Sequence, residues 1–403
     1  MRRRISAIAA TASLALLLAA CSTSDGGSTD GATDGAASGD PINLTILYGI
    51  TGAYAGTGSN YMKGFTAAID YANANGGAGG RPINVTLIDD ESDNTVAVTK
   101  LNEALTSSTP PDIVIPGGVS TETGAMLPTV SDEGIFTLSV ASSSEYDDPS
   151  KYPNHFGISS PQATQLGSIG TLMKADDIKT LGVLAGADAF GDANVEGITT
   201  VAADAGITIV DTERPDPNAL NFDVEFQRLV AANPDAIYVD FAGVDQISRA
   251  LSSRLTAGAT DIPYYAGTAS ASQVPNSLAS ASALPLCYLP EFTSMVQQST
   301  EPEYLQPLLD AFEGSDVSLY SGALGFDTAR VLIFALNQTN GDTDATKLTA
   351  ALQTTPIPAD YLSLYPDGFS YSATEHYPTP EPNIFEAIPC DSTISNGLWV
   401  PSS

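Results

Sequence analysis

The side chains best placed to do chemistry in this chain are hydroxyls rather than charges. Gly117-Gly118-Val119-Ser120-Thr121 joins a short apolar run to a helical stretch beginning near Thr123. Hydroxyls and free amides at the start of a helix make an uncharged seat for a carboxylate, with no arginine needed, and the same residues also serve as ordinary N-caps. Ala141-Ser142-Ser143-Ser144 repeats the arrangement just past the apolar run 136–140, at a strand end, where open α/β sheets bind their ligands; a serine-rich turn without a ligand is the alternative. This is the chemistry of recognition, not of bond breaking. No Gly-x-Ser-x-Gly elbow occurs, and the only two histidines, His155 and His376, stand far apart without an evident partner. A catalytic centre, a metal site and a cofactor are all unexpected, since Cys and His do not cluster and no nucleotide-type glycine fingerprint follows the first strand.

Two other motifs have plainer readings. Gly76-Gly77 and Gly79-Gly80 follow a helical stretch and precede a strand, where glycine ends helices; a phosphate cradle needs them just before a helix. Asp89, Asp90, Glu91 and Asp93 lack the glycine and the closing glutamate of a calcium loop and read as a solvated strand end.

Positioning these residues requires a scaffold, and the pattern supplies one. Short β-type runs at 43–48, 83–89, 113–115, 136–140, 180–185, 208–211, 236–240 and 264–266 alternate with helical stretches at 60–73, 95–105, 123–133, 162–175, 195–204, 224–231 and 244–257. Further helices are expected at 321–339 and 346–353. Such alternation builds parallel α/β sheets, and the length calls for two of them, divided near residues 156–161. Asp240, Phe241 and Asp245 fall in one strand-end loop, as a polar contact or as surface. Tyr54, Phe190 and Phe241 either line an apolar part of a pocket or belong to the core.

The chain begins with Arg2, Arg3 and Arg4, an apolar run from Ile5 to Leu18, and Leu18-Ala19-Ala20-Cys21. A cationic start, a run too short to span a bilayer and small residues before a cut describe an export signal. It resembles a bacterial lipoprotein signal, which makes residues 1–21 the signal and Cys21 the lipidated residue that anchors the protein outside the cytoplasm. Residues 22–40, rich in Ser, Thr, Gly, Asp and Ala, offer too little apolar surface to fold and are expected to form a flexible tether. The formal charge is -32, and cleavage removes three of fifteen basic residues. So acidic a surface repels nucleic acid. With Cys21 lipidated, Cys287 and Cys390 remain; they either pair outside the cytoplasm or stay as separate thiols.

The ordered motifs together resemble type I periplasmic binding proteins of the branched-chain amino acid family. The likeness runs through Tyr48-Gly49-Ile50-Thr51-Gly52-Ala53-Tyr54, Asn73-Ala74-Asn75-Gly76-Gly77-Ala78-Gly79-Gly80-Arg81, Pro116-Gly117-Gly118-Val119-Ser120-Thr121, Asp132-Glu133-Gly134-Ile135, Ser139-Val140-Ala141-Ser142-Ser143, Phe190-Gly191 and Gly325-Phe326-Asp327-Thr328-Ala329. It implies two Rossmann-like lobes with parallel sheets, joined by three crossovers, with a ligand cleft between them. One lobe would comprise 42–159 plus 289–365, the other 160–288 plus 366–403. A backbone amide near Ser142 and a hydroxyl at Ser143 would hold a ligand carboxylate. Across the cleft the family places tyrosine where this chain has Phe190, and an ammonium-binding glutamate where it has Thr268, whose hydroxyl cannot replace a charge-assisted bond.

The expectation is a lipid-anchored, monomeric solute-binding protein that passes a small amino-acid-like or carboxylate-bearing ligand to the permease and ATPase subunits of an ABC importer. The same fold could instead serve as a receptor for a signalling partner, which neighbouring genes would reveal. An extracellular α/β hydrolase would show turnover of esters, amides or phosphates, and a ligand-free surface lipoprotein would respond to no small molecule.

Overall fold

The computed structural model describes residues 39–270, 281–297, 302–380 and 384–400; the expected signal, Cys21 and nearly all of the expected tether lie outside them. In chain order the helices are α1 (Ala55–Ala74), α2 (Asn94–Leu105), α3 (Ser120–Asp132), α4 (Gln162–Gln165), α5 (Gly167–Ala175), α6 (Ala189–Ala205), α7 (Asp223–Ala231), α8 (Val244–Thr256), α9 (Gln306–Ala311), α10 (Tyr320–Gln338) and α11 (Ala345–Thr354). The strands are β1 (Ile42–Tyr48), β2 (Ile83–Asp89), β3 (Ile113–Pro116), β4 (Phe136–Ser139), β5 (His155–Gly157), β6 (Thr180–Ala185), β7 (Thr208–Glu213), β8 (Ala236–Asp240), β9 (Tyr264–Ala266), β10 (Cys287–Phe292), β11 (Phe385–Pro389), β12 (Thr393–Ser395) and β13 (Leu398–Val400).

Five of the seven residues of β1 are apolar and all but Asn43 are buried, because both its faces are covered. It lies in a five-stranded parallel sheet ordered β2-β1-β3-β4-β5. Leu44, Ile46 and Tyr48 pack with Tyr61 and Phe65 of α1 and Phe326 and Leu332 of α10, while Leu47 points the other way, toward Leu101 of α2 and Leu127 of α3. α1 starts five residues before the expected stretch. Its opening Ala-Gly-Thr-Gly-Ser reads as a loop, yet Gly58 is there for close approach: a Cβ would fall 2.3 Å from the Gly49 carbonyl oxygen.

The second sheet runs β11-β10-β9-β8-β6-β7, parallel except for the antiparallel β10–β11 pair. Apart from that added strand it repeats the order of the first, and each sheet has a point where the winding reverses, at β1/β3 and β6/β8. Ligands of doubly wound sheets bind at the carboxyl ends of strands flanking such points. The chain passes between the sheets three times, after β5, after β10 and before β11. Cys287 and Cys390 are joined, with Cα atoms 5.3 Å apart, tying the start of β10 to the end of β11.

Two expected boundaries shift. Residue 289 falls inside β10, which pairs with β9 and β11, so the whole strand belongs to the second sheet. Nor does the chain leave the first lobe at 366. Tyr371 packs on Phe156 and donates to the Gly157 carbonyl at 2.7 Å, the Gly157 amide donates to the His376 carbonyl at 2.9 Å, and Tyr377 lies in the core beside Leu47. Both histidines are structural. His155 lies between the hydroxyls of Thr137 and Ser139, and burial lowers its pKa to about 3; the His376 ring stacks on Phe156.

Candidate functional site

The carboxyl ends of the two sheets meet around a small cavity of about 50 Å³. Its first-lobe wall is built by the β3–α3 turn. A Cβ on Gly118 would fall 1.7 Å from Cζ of the buried Tyr48 ring, so only glycine fits beside it. The turn delivers Ser120 as the first residue of α3; Val119, not a hydroxyl residue, is the N-cap. Ser120 Oγ instead accepts the Ser142 amide at 3.2 Å, and its carbonyl accepts the Tyr146 hydroxyl at 2.9 Å, which ties the two serine loops together. Of the acidic run after β2, Glu91 and Asp93 lie exposed, as its composition suggests, but the other two are built into the lobe. Asp89 gathers the amides of Ile50, Thr51 and Glu91, and Asp90 is fully buried.

The second-lobe wall comes from the ends of β6, β8 and β9. Asp188 caps α6 by accepting the Gly191 amide at 2.8 Å, which presents Phe190 to the cleft. Phe190 packs with Tyr54 and Val119 of the first lobe and Ala242 of its own. After β9, Thr268 donates its hydroxyl to Gln165 Oε1. Gln165 in turn donates to the Ser160 carbonyl at 2.5 Å, in the first crossover. Gln162 donates to Asn194 at 2.7 Å, whereas Gln162 Oε1 and Ser321 Oγ, both buried at the cavity, have no protein partner. On the rim, Ser144 Oγ donates to the Glu196 carboxylate at 2.8 and 3.0 Å, from the β4 loop of one lobe to α6 of the other.

Of the expected site residues, Ser120, Ser142, Phe190 and Thr268 line this cavity. Tyr54 and Thr121 line a neighbouring groove at the cleft mouth with Asp93, Asp188 and Gln246. Three reach neither. Ser143 turns its carbonyl to the Tyr146 amide. Phe241 stacks on Phe222 in the second-lobe core, ring centroids 4.8 Å apart. Asp240 is sealed behind Gly267, accepting Ser270 Oγ at 3.0 Å and nearby amides, and burial raises its pKa to about 8.

Residues the sequence reading missed are Tyr48, Thr57, Ser159, Gln162, Gln165, Tyr320 and Ser321. The two glutamines carried a usable signal, an i,i+3 pair directly after the expected crossover. Among the described residues, no Lys, Arg, His, Asp or Glu lines the cavity. The wall is apolar at Val119, Val140, Phe190, Ala242, Ala269 and Leu324, and its polar side chains are all hydroxyls or amides. Such a surface can hold a small ligand by hydrogen bonds and contact, and it offers no anion to an ammonium group. No group of His, Cys, Asp and Glu suited to a metal occurs, and no helix is long and apolar enough to cross a membrane, among the described residues.

A family model described as periplasmic binding protein matches residues 41–380. Similar solved structures include a type 1 periplasmic binding protein from Bordetella pertussis Tohama I, 17% identical at a TM-score of 0.77, covering 90% of this chain and 100% of that one. An amino acid ABC transporter substrate-binding protein from Pseudomonas fluorescens Pf-5 is 17% identical at 0.71, covering 90% and 95%. A solute-binding protein of an ABC transporter from Rhodopseudomonas palustris BisB5, in complex with 3,4-dihydroxybenzoic acid, is 16% identical at 0.72, covering 90% and 96%. At these identities the likeness carries the fold alone. No curated protein sequence matches the chain.

Proposed function

The chain belongs to the periplasmic binding proteins, a family of extracytoplasmic binding proteins rather than enzymes, and from that premise we propose that it captures a small solute, uncharged or bearing one carboxylate, for an ABC importer. The observation that carries this reading is the interlobe cavity walled only by uncharged side chains, with the buried Gln162 Oε1 lacking a protein partner. A buried acceptor left unpaired costs about 1–3 kcal/mol, which a ligand N–H or O–H offsets. A zwitterionic α-amino acid fits poorly, because Thr268 offers a hydroxyl where an ammonium calls for a carboxylate. The ligand touches both lobes and stabilises the closed arrangement, the form offered to the permease, by differential affinity. We further propose that Cys21 carries the lipid anchor; a Cys21→Ser variant should then be released from membranes.

Thermal unfolding of the purified protein against matched sets of amino acids, amides, short and aromatic carboxylates and polyols tests the reading. A ligand at 100 times its Kd adds about 2.7 kcal/mol. Stabilisation by amides or carboxylates and not by amino acids is expected. A response confined to leucine-like amino acids overturns the ligand class, and no response across a broad panel overturns the solute-binding role.

A further inference from the structure

Behind the first-lobe wall lie two carboxyls that the cavity does not expose. Asp90, just past β2, and Glu122, in the first turn of α3, are each 0% exposed, and their carboxyls adjoin closely enough to act on one another's ionisation. Asp90 Oδ1 accepts the Ser92 amide at 3.0 Å, and Glu122 Oε2 accepts the Gly118 amide at 3.1 Å. The other two oxygens, Asp90 Oδ2 and Glu122 Oε1, have no N–H or hydroxyl partner. Two carboxyls in contact in such a site do not both ionise, so near neutrality the pair holds one proton and one negative charge. Burial, and after it the charge of Asp89, moves Asp90 up to about 6, whereas burial followed by the charge of Asp90 moves Glu122 well above the usual carboxylate range. Facing them are Tyr48 of β1, Tyr54 from the turn before α1, Asp89 of β2 and Lys100 of α2. Lys100 is the single cation of that set, and it is already bonded to the Asp89 carbonyl and to Glu91.

The pair is one residue removed from the cavity, since Gly118, whose amide Glu122 holds, forms part of the wall together with Tyr48 and Ser120. Its charge opposes an incoming anion where the positive end of α3 would otherwise attract one. Resting on the solute-binding reading above, we propose that the Asp90–Glu122 pair sets the charge selectivity of the cavity, favouring uncharged amides and alcohols over free carboxylates. A carboxylate then binds well only when the pair takes a second proton from the buffer, and its affinity rises as pH falls.

Calorimetry on the full chain with benzoate and benzamide, and with isovalerate and isovaleramide, tests this at pH 5.5, 6.5 and 7.5 in buffers of low and high ionisation enthalpy. The carboxylates should weaken about tenfold from pH 5.5 to 7.5 and take up a fraction of a proton, while the amides show neither effect. The double variant Asp90→Asn/Glu122→Gln should keep amide affinity and improve carboxylate affinity about tenfold at pH 7.5. Carboxylate binding that is flat with pH overturns the proposal. So does proton uptake that persists in the double variant, which places the proton on the ligand, or an equal change for both ligand types, which makes the pair structural. If neither series binds while other small solutes do, this ligand class and the pair's role fall together, and the solute-binding role stands.

Discussion

Replacing Phe190 by alanine separates lobe closure from lobe stability. Phe190 is 9% exposed, but its apolar neighbours are Ala53, Tyr54 and Val119 on the first lobe and Ala242 and Ala269 on the second, outside the main core of either. Full burial of a phenylalanine stabilises by roughly 2–3 kcal/mol. About half of that surface faces the opposite lobe, so closure loses about 1–1.5 kcal/mol, or five- to thirteenfold in Kd. Phe190 also lines the cavity, which adds any direct ligand contact to the loss. Tyr54→Ala supplies the control, because Tyr54 touches the same cluster without lining the cavity. Calorimetric Kd values for the ligand identified by the thermal panel, measured for both single variants and the double, would show each single weakened and the pair coupled by about 0.5–1.5 kcal/mol. Unchanged Kd values with a fall in ligand-free stability of about 3–5 kcal/mol, the usual cost of truncating a core phenylalanine, would refute the reasoning.

Gly118→Ala should abolish ligand binding and lower stability by about 1–3 kcal/mol, because the new methyl meets the fixed Tyr48 ring; calorimetry and thermal unfolding read the two effects. Reduction of the Cys287–Cys390 bond, which spans 103 residues, should lower stability by up to about 4–5 kcal/mol through loop entropy, seen as a lower Tm in the presence of reductant. Stability should also fall as pH rises from about 6.5 to 8. Burial raises Asp240 to about 8 and Glu291 to about 8, so the folded state holds protons that the unfolded chain has already released, and the contribution is lost as pH approaches those values. Each group contributes a slope of at most about 1.4 kcal/mol per pH unit. His155, lowered to about 3, opposes this only below the ordinary histidine range near pH 6.5, leaving the higher window clear. A Tm that is flat or rising between pH 6.5 and 8 contradicts the burial of both acids.

The secondary structure legible in the sequence is the part governed by local pattern. β1, β6 and β8 announce themselves as buried strands, and α10 stands where a long helix is expected, because covering on both faces writes apolar residues into consecutive positions. β10 and β11 escape notice for a physical reason: each contains a proline, and they pair with one another across about a hundred residues of chain.

The candidate site divides along the same line. Ser120 and Ser142 could be read from hydroxyl runs just past strand ends, a position that local pattern marks whatever the rest of the chain does, although the fold then buries both. Composition also argued against a cationic seat for a strongly anionic ligand, because so acidic a chain has few cations to spare, but it left Asp240 open as a polar contact. Tertiary structure alone decided that Asp90 is buried against Glu122 while its neighbour Asp89 organises a loop, and that Phe241 belongs to a core while Phe190 faces the cleft. It likewise brought Gln162 and Gln165 from the crossover, and Tyr320 from the far end of the chain, to the same wall. A pattern of residue types records which side chains are apolar or polar along one element; which face meets the other lobe depends on contacts between segments that are distant in sequence.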